Sequence, residues 1–397
     1  MLHDKLPKFF DHSSVQTKFH QQSNNMIQRF FHPVGQGAFY SERHILPNST
    51  FNIVYDCGTA DATNTIKNLV TQSFHKTDIV NILFISHLDF DHISLIDTLK
   101  NTVSRIEQVV LPLLYDEDKQ FLSDIFLAIG ERGLSNFVLS PNDYFGRETQ
   151  IITVRPSLED DVNNDPIDIS EISKSREISS GTPLRPTKSH EWVFIPTNHM
   201  FLERKEKFIN ELKKKDISYE QLRIDPNYLD QPIGKSTVKN EIKSIYKSLS
   251  GGINVNSMCL YSGPYKNPSH RHYRIRKLWH NNLHCCNICC DWWYPFPKDR
   301  VACLYTGDSN LNVLDLRKKY QKYWDLIGTI QIPHHGSLRS FNTEILTDKE
   351  YICPISVGKN SQYGHPSQKV ISDILYHGSY PILVTEDANC TFVEEIE

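Results

Sequence analysis

Residues Ile79 to Ser86 form a strand-forming apolar run, and it delivers His87-Leu88-Asp89-Phe90-Asp91-His92 at its end. A run this short and this apolar reads as a strand buried on both faces, which requires layers above and below it and places the chain among α/β folds. The four ligand-type side chains that follow cannot all face one way from a strand. A turn into a helix can aim His87 and Asp89 at one cation and Asp91 and His92 at a neighbouring one, which suits a dinuclear site. The same residues also admit a plainer reading, a polar helix start with Asp as its N-cap and an exposed His.

The flanking sequence continues the alternation. Strands are expected at Ile27 to Phe31, Phe51 to Tyr55 and Gln108 to Leu113, with helices at Thr63 to Phe74, Ser94 to Asn101 and Lys119 to Arg132, the last ending at Gly133. Trp192 to Ile195 reads as a strand ending at Pro196, and Leu202 to Leu222 as one charged helix. Ser257 to Tyr261 and Val301 to Tyr305 read as paired arms of a swollen hairpin. A helix at Val313 to Tyr320 follows, then Thr329 to Ile332, Tyr351 to Val357, Gln368 to Tyr376 and Pro381 to Thr385. The 397 residues are expected to form a polar arm at 1–25 and one folded unit at 26–397, with insertions at about 155–190, 200–250 and 264–300. Glu159 to Ser180 reads as an acidic surface loop.

Lys plus Arg is 43 against 47 Asp plus Glu, so no global field draws the chain onto nucleic acid or an anionic membrane. No apolar run approaches the roughly 18 residues of a membrane span, and the start lacks a signal peptide's order, so the expectation is a cytoplasmic protein. Its nine Cys are then thiols or metal ligands.

Three later segments echo the first: Thr306-Gly307-Asp308 and Pro333-His334-His335-Gly336-Ser337 follow expected strands, and Gly364-His365-Pro366 repeats the device. With Asp56-Cys57-Gly58 and Val34-Gly35-Gln36-Gly37, the ordered set resembles the metallo-β-lactamase fold. Within it the chain is most similar to the hydrolase domain of ComEC-type DNA-uptake proteins, over about 27–113 and 250–393. The resemblance implies a four-layer αββα sandwich holding one or two divalent metals, Zn or Mn, the harder ligand Asp89 favouring Mn. It implies His87 and Asp89 on one metal, Asp91, His92 and His334 on the other, and Asp308 bridging. Asp56 is read as orienting a ligand His. His199 is the positional candidate for the superfamily's middle histidine. His334 is preferred to His335 because it follows the strand and Pro333 directly. His335 and His365 are left for substrate contact or proton transfer, or for steadying the ligands.

The segment from His270 to Arg300 is basic, aromatic and thiol-rich. Cys286 and Cys289, with His280 or His284, have the spacing of a further zinc site; the alternative is a thiol-rich loop packed under Trp292 and Trp293. Arg271, Arg274, Arg276, Lys277 and Trp279 offer cations for phosphates and a ring for bases. The leading expectation is therefore a phosphodiesterase or nuclease using a metal-bound hydroxide on DNA or RNA. Two others compete: a small-molecule hydrolase acting on a lactone, lactam, thioester or choline phosphoester, and a non-enzymatic module whose loop 159–180 and helix 202–222 bind a protein partner.

Overall fold

The computed structural model describes residues 26–156, 165–188, 190–200, 202–225, 227–248, 256–265, 273–280, 299–359, 361 and 364–397. Two large sheets lie face to face. The first runs, in spatial order, Ile275–His280, Phe392–Ile396, Met26–Phe31, Phe39–Leu46, Ser49–Cys57, Ile79–Phe84, Arg105–Pro112, Gln150–Val154 and Arg176–Ile178. The second runs Tyr380–Val384, Ile352–Ser356, Ile327–Ile330, Ala302–Tyr305, Asn256–Pro264, Trp192–Met200, Leu184–Arg185 and Ile167–Asp168.

Three apolar cores separate four layers. The inner faces of both sheets meet through residues such as Phe31, Tyr55, Phe84, Leu260 and Tyr305. The outer face of the first sheet is covered by helices including Asn64–Ser73, Ile96–Thr102, Asp116–Ile129 and Arg132–Leu139. The outer face of the second is covered by Gln368–Tyr376 and the turns around Tyr320 and Trp324. This is the αββα sandwich that the motif resemblance implies, and its geometry follows from the sequence. Strands buried on both faces, Ile79–Phe84 above all, pair in parallel with Ser49–Cys57 and Arg105–Pro112, and parallel neighbours need helical crossovers that cap the sheet. Ala302–Tyr305, Ile327–Ile330, Ile352–Ser356 and Tyr380–Val384 are likewise parallel. Their carboxyl ends form one rim, where open α/β sheets place their sites.

Several expected elements are corrected. The helix Asp116–Ile129 stops at Gly130, whose φ of 96° ends it, and Gly133 lies inside the next helix. The strand Trp192–Met200 runs through Pro196, which sits opposite Leu260 in an antiparallel ladder. Leu202–Lys214 and Tyr219–Ile224 are two helices, with Phe208, Leu212 and Leu222 packed into the first core. The helix expected at Val313 to Tyr320 shrinks to Leu316–Lys319. The described part of the acidic segment is no free loop: Ile167–Asp168 and Arg176–Ile178 extend the two sheets, and Asp168 and Glu171 pair with Arg185 and Lys188. Phe39–Leu46, Gln150–Val154 and Phe392–Ile396 are strands not anticipated. Cys57, Cys259, Cys303, Cys353 and Cys390 are buried thiols that form no disulfide among the described residues. Among the described residues no helix is long and apolar enough to cross a membrane.

Candidate metal centre

The turn after Ile79–Phe84 decides between the two readings of its residues. Asp89 stands at the N-cap of Phe90–Ile93, yet its side chain makes no capping hydrogen bond, and His92 is 1% exposed rather than solvated. Both side chains face inward instead. Asp56, at the end of Ser49–Cys57, is fully buried and organises the turn: it accepts from Ser86 N at 2.7 Å, Ser86 Oγ at 2.6 Å and His92 Nδ1 at 2.8 Å. Ser86 Oγ also lies 2.8 Å from His87 Nδ1. With Nδ1 of His92 committed to Asp56, its Nε2 is turned toward the space between the sheets. Gly58 lets this turn close, because a Cβ there would lie 2.4 Å from the His92 carbonyl carbon.

The second sheet supplies the facing half. Asp308 follows Ala302–Tyr305 on a loop whose Thr306 and Gly307 amides both donate to Gln331 Oε1, at 2.8 and 2.9 Å. His334 and His335 follow Ile327–Ile330 and hold left-handed backbone, φ 51° and 56°. Asp56 does the same at 55°, so three of the four such non-glycine residues among those described lie at this rim, a strain that surrounding structure must hold in place. The turn presents both imidazoles. His334 Nδ1 bonds Ser340 Oγ at 2.9 Å, and His335 Nδ1 donates to the Ser356 carbonyl at 2.9 Å.

The two halves converge. Asp308 faces three imidazoles, 3.3 Å from His92 Nε2 and 3.8 Å from both His87 Nε2 and His334 Nε2. Asp89 lies 3.5 Å from His87 Nε2, and Asp91 3.2 Å from His335 Nε2. Two sets of ligand atoms lie within 4.8 Å of one another, His87 with His92 and Asp308, and Asp91 with His92 and His335. His335, rather than His334, therefore joins Asp91 and His92, because the kinked turn swings the second imidazole onto Asp91. The residues fit a divalent cation: His87 Nε2 and Asp89 Oδ1 are buried without a hydrogen bond among the described residues, an arrangement that costs free energy unless a ligand completes it.

The charges press in the same direction. Burial disfavours the charged form of His92, but Asp308, Asp56 and Asp91 outweigh it and hold its pKa well above the usual imidazole value. Burial likewise opposes the charge of His335, and its bond to Asp91, with Asp308, raises it. Burial works against ionised Asp308, yet His334 and His92 hold its carboxyl well below the usual range. His365, at the mouth, is half-buried with its ring 5.6 Å from that of His334; burial and His335 lower its pKa.

Other expected residues fall elsewhere. His199 sits opposite Ser257 in the ladder, half-buried, and belongs to neither set of converging ligands. Arg274 and Arg276 are exposed, paired with Asp299 and Glu397, and flank Ile275, which pairs with Ile396 at the end of the sheet away from the rim. Lys277, Trp279 and His280 lie on the same edge strand, which reaches the rim end at His280 opposite Phe392. Arg271, His284, Cys286 and Cys289 lie outside the described residues. Sequence reasoning missed Ser86, Gln331, Ser340 and Ser356, small polar residues whose only signal was adjacency to the motifs. It also missed Arg339, an exposed cation on the His334 loop, whose carbonyl accepts from Asn312 at 2.9 Å.

No protein-family model matches the chain, and no curated protein matches it in sequence. Among solved structures it is similar to human tRNase Z, short form (ELAC1), at 9% identity and a TM-score of 0.35, covering 90% of this chain and 92% of that one. It is similar also to the metallo-beta-lactamase fold protein YhfI from Bacillus subtilis, at 7% identity and 0.34, covering 94% and 100%. Unliganded yeast PDE1 matches at 8% identity and 0.36, covering 92% and 99%. Likenesses this distant carry no argument, and the fold assignment stands on the sheets and cores above.

Proposed function

We propose that this chain is a metal-dependent hydrolase that cleaves phosphodiester bonds in nucleic acid. The observation that carries the reading is the convergence, from two sheets, of buried imidazoles and carboxylates on one rim. His87 and Asp89 would hold one divalent cation, Asp91, His92 and His335 another, with Asp308 between them and His334 beside it. Bound Zn²⁺ or Mn²⁺ would supply a water acidic enough to attack at neutral pH and would offset charge on the attacking and leaving oxygens. The chain's own residues do the rest. Asp56 and the Ser356 carbonyl keep the Nδ1 protons of His92 and His335 in place, so each Nε2 faces the cleft. His365, half-buried with its ring 5.6 Å from that of His334, would contact the substrate beside the ligands. Arg339 supports an anionic substrate: it is exposed, makes no ion pair among the described residues, and its charge reaches His365.

Labelled single- and double-stranded DNA and RNA, incubated with Mn²⁺, Zn²⁺ or Mg²⁺, test this. Cleavage should require metal and stop with chelator, and Asp308→Asn should lower it about a hundredfold or more without loss of fold. Arg339→Ala should raise KM for oligonucleotides and leave a neutral ester untouched. Faster turnover of a lactone, thioester or choline phosphoester than of any oligonucleotide would replace the nuclease with a small-molecule hydrolase.

A further inference from the structure

The ligand set is divided between two sheets, with Asp56, His87, Asp89, Asp91 and His92 on the first and Asp308, His334 and His335 on the second. A shared site needs the gap between the sheets held to a fraction of an ångström, and interchangeable aliphatic packing does not define a gap that sharply. Three tyrosines do occupy it. Tyr55 and Tyr305 stack at 4.9 Å between ring centroids, Tyr40 and Tyr305 at 5.7 Å, and Tyr40 and Tyr55 at 6.2 Å. All three are at most 2% exposed.

Each hydroxyl crosses to the opposite sheet. Tyr40 OH donates to Ser356 Oγ at 3.0 Å and Tyr55 OH to the Met258 carbonyl at 2.8 Å, both from the first sheet to the second. Tyr305 OH donates the other way, to Glu42 Oε1 at 2.9 Å, and Glu42 is itself held by Arg29 Nε at 2.8 Å. Each tyrosine is also joined to a site residue through a short, stiff path. Tyr55 precedes Asp56, Tyr305 lies on the strand that runs into Asp308, and Tyr40 bonds Ser356, whose carbonyl takes the His335 Nδ1 proton. We propose that Tyr40, Tyr55 and Tyr305 are positioning residues that gauge the distance between the sheets and so set the spacing of the ligands. The inference rests on reading the cluster as a metal centre.

The test is Tyr→Phe at each position, which keeps the stacked ring and removes the hydroxyl that bonds across the gap. Co²⁺ and Zn²⁺ binding is measured by calorimetry and by the visible Co²⁺ spectrum, alongside the denaturation midpoint. Val70→Ala, in the outer core, serves as a control for general loss of stability. Each Phe variant should bind metal about tenfold or more weakly, with an altered Co²⁺ spectrum, while Val70→Ala loses midpoint and binds as wild type. Tyr40→Phe, whose partner across the gap is the Ser356 hydroxyl, decides the matter if Tyr305→Phe does not fold. Phe variants that bind as tightly as a metal-binding wild type overturn the inference alone. A wild-type protein that binds neither ion overturns the metal-centre reading and the inference with it.

Discussion

His92 brings together most of the forces at work in the site. Burial argues against its charge, and three carboxylates, Asp308, Asp56 and Asp91, prevail, so its pKa stands well above that of an ordinary imidazole. These carboxylates favour the doubly protonated ring in the absence of metal, and a cation that takes Nε2 then has to expel that proton. Metal affinity should rise with pH, by up to about one decade per pH unit for each proton expelled, until the raised pKa is passed. Calorimetry in two buffers of different ionisation enthalpy counts the protons: at least one is expected at pH 7 for the ion that His92 takes, and none would mean that His92 enters the site neutral.

At the scale of an element, the loop after Ala302–Tyr305 shows how a turn can be held as firmly as a strand. Gln331 ties down two of its amides, and Gly307 adopts φ 53°, where an added Cβ would lie 2.8 Å from Ser86 Cβ. Ser86 is the residue that links Asp56 to His87, so pressure on it passes directly into the ligand set. Gly307→Ala should cost about 2–4 kcal/mol in left-handed strain and crowding, and should weaken metal binding as well. Gly130→Ala is the comparison, since it shares the positive φ but meets nothing within 4 Å and should cost stability without touching metal affinity. Urea denaturation and metal titration of both variants separate the two effects; equal metal affinity in the two would sever the proposed link through Ser86.

Across the whole molecule, a buried charge cluster on the first sheet is also tied to the second by hydrogen bonds. Arg29, fully buried, pairs with Glu42 and Glu394 and donates to the Val301 carbonyl, while Ser262 and Tyr305 of the second sheet bond Glu42. Arg29→Met would strand two buried carboxylates and should cost about 3–5 kcal/mol. Burial pushes the Glu42 carboxyl up, but Arg29 and His44 outweigh it and lower its pKa. A depressed carboxyl contributes stability above the unfolded value of about 4.3 and loses it as pH falls toward the folded one. The midpoint should thus be insensitive to this group from pH 8 to 5 and fall below about pH 4. Glu42→Gln should be less stable at pH 7 with a shallower acid limb; an unchanged limb would place acid sensitivity elsewhere.

Much of this was legible in the order of residues. The apolar run Ile79 to Ser86 demanded a strand covered on both faces, hence layers, and ligand-type residues at the ends of successive strands announced a site at one rim. Local chemistry sufficed there because a buried parallel strand and a polar turn are each specified by their own residues. Boundaries were less legible where tertiary packing overrode local signals, as at Pro196, kept within a strand by its neighbours, and at Gly133, carried inside a helix because Gly130 had already ended the one before. The choice between His334 and His335 could not be made from the chain, since adjacent residues differ in direction only through backbone angles that the surrounding turn imposes. Nor could the tyrosine stack be foreseen: Tyr40 and Tyr55 face each other across one hairpin, but Tyr305 joins them from a strand far later in the chain, and their hydroxyls find partners only after two sheets have closed on each other, an event that no local pattern encodes.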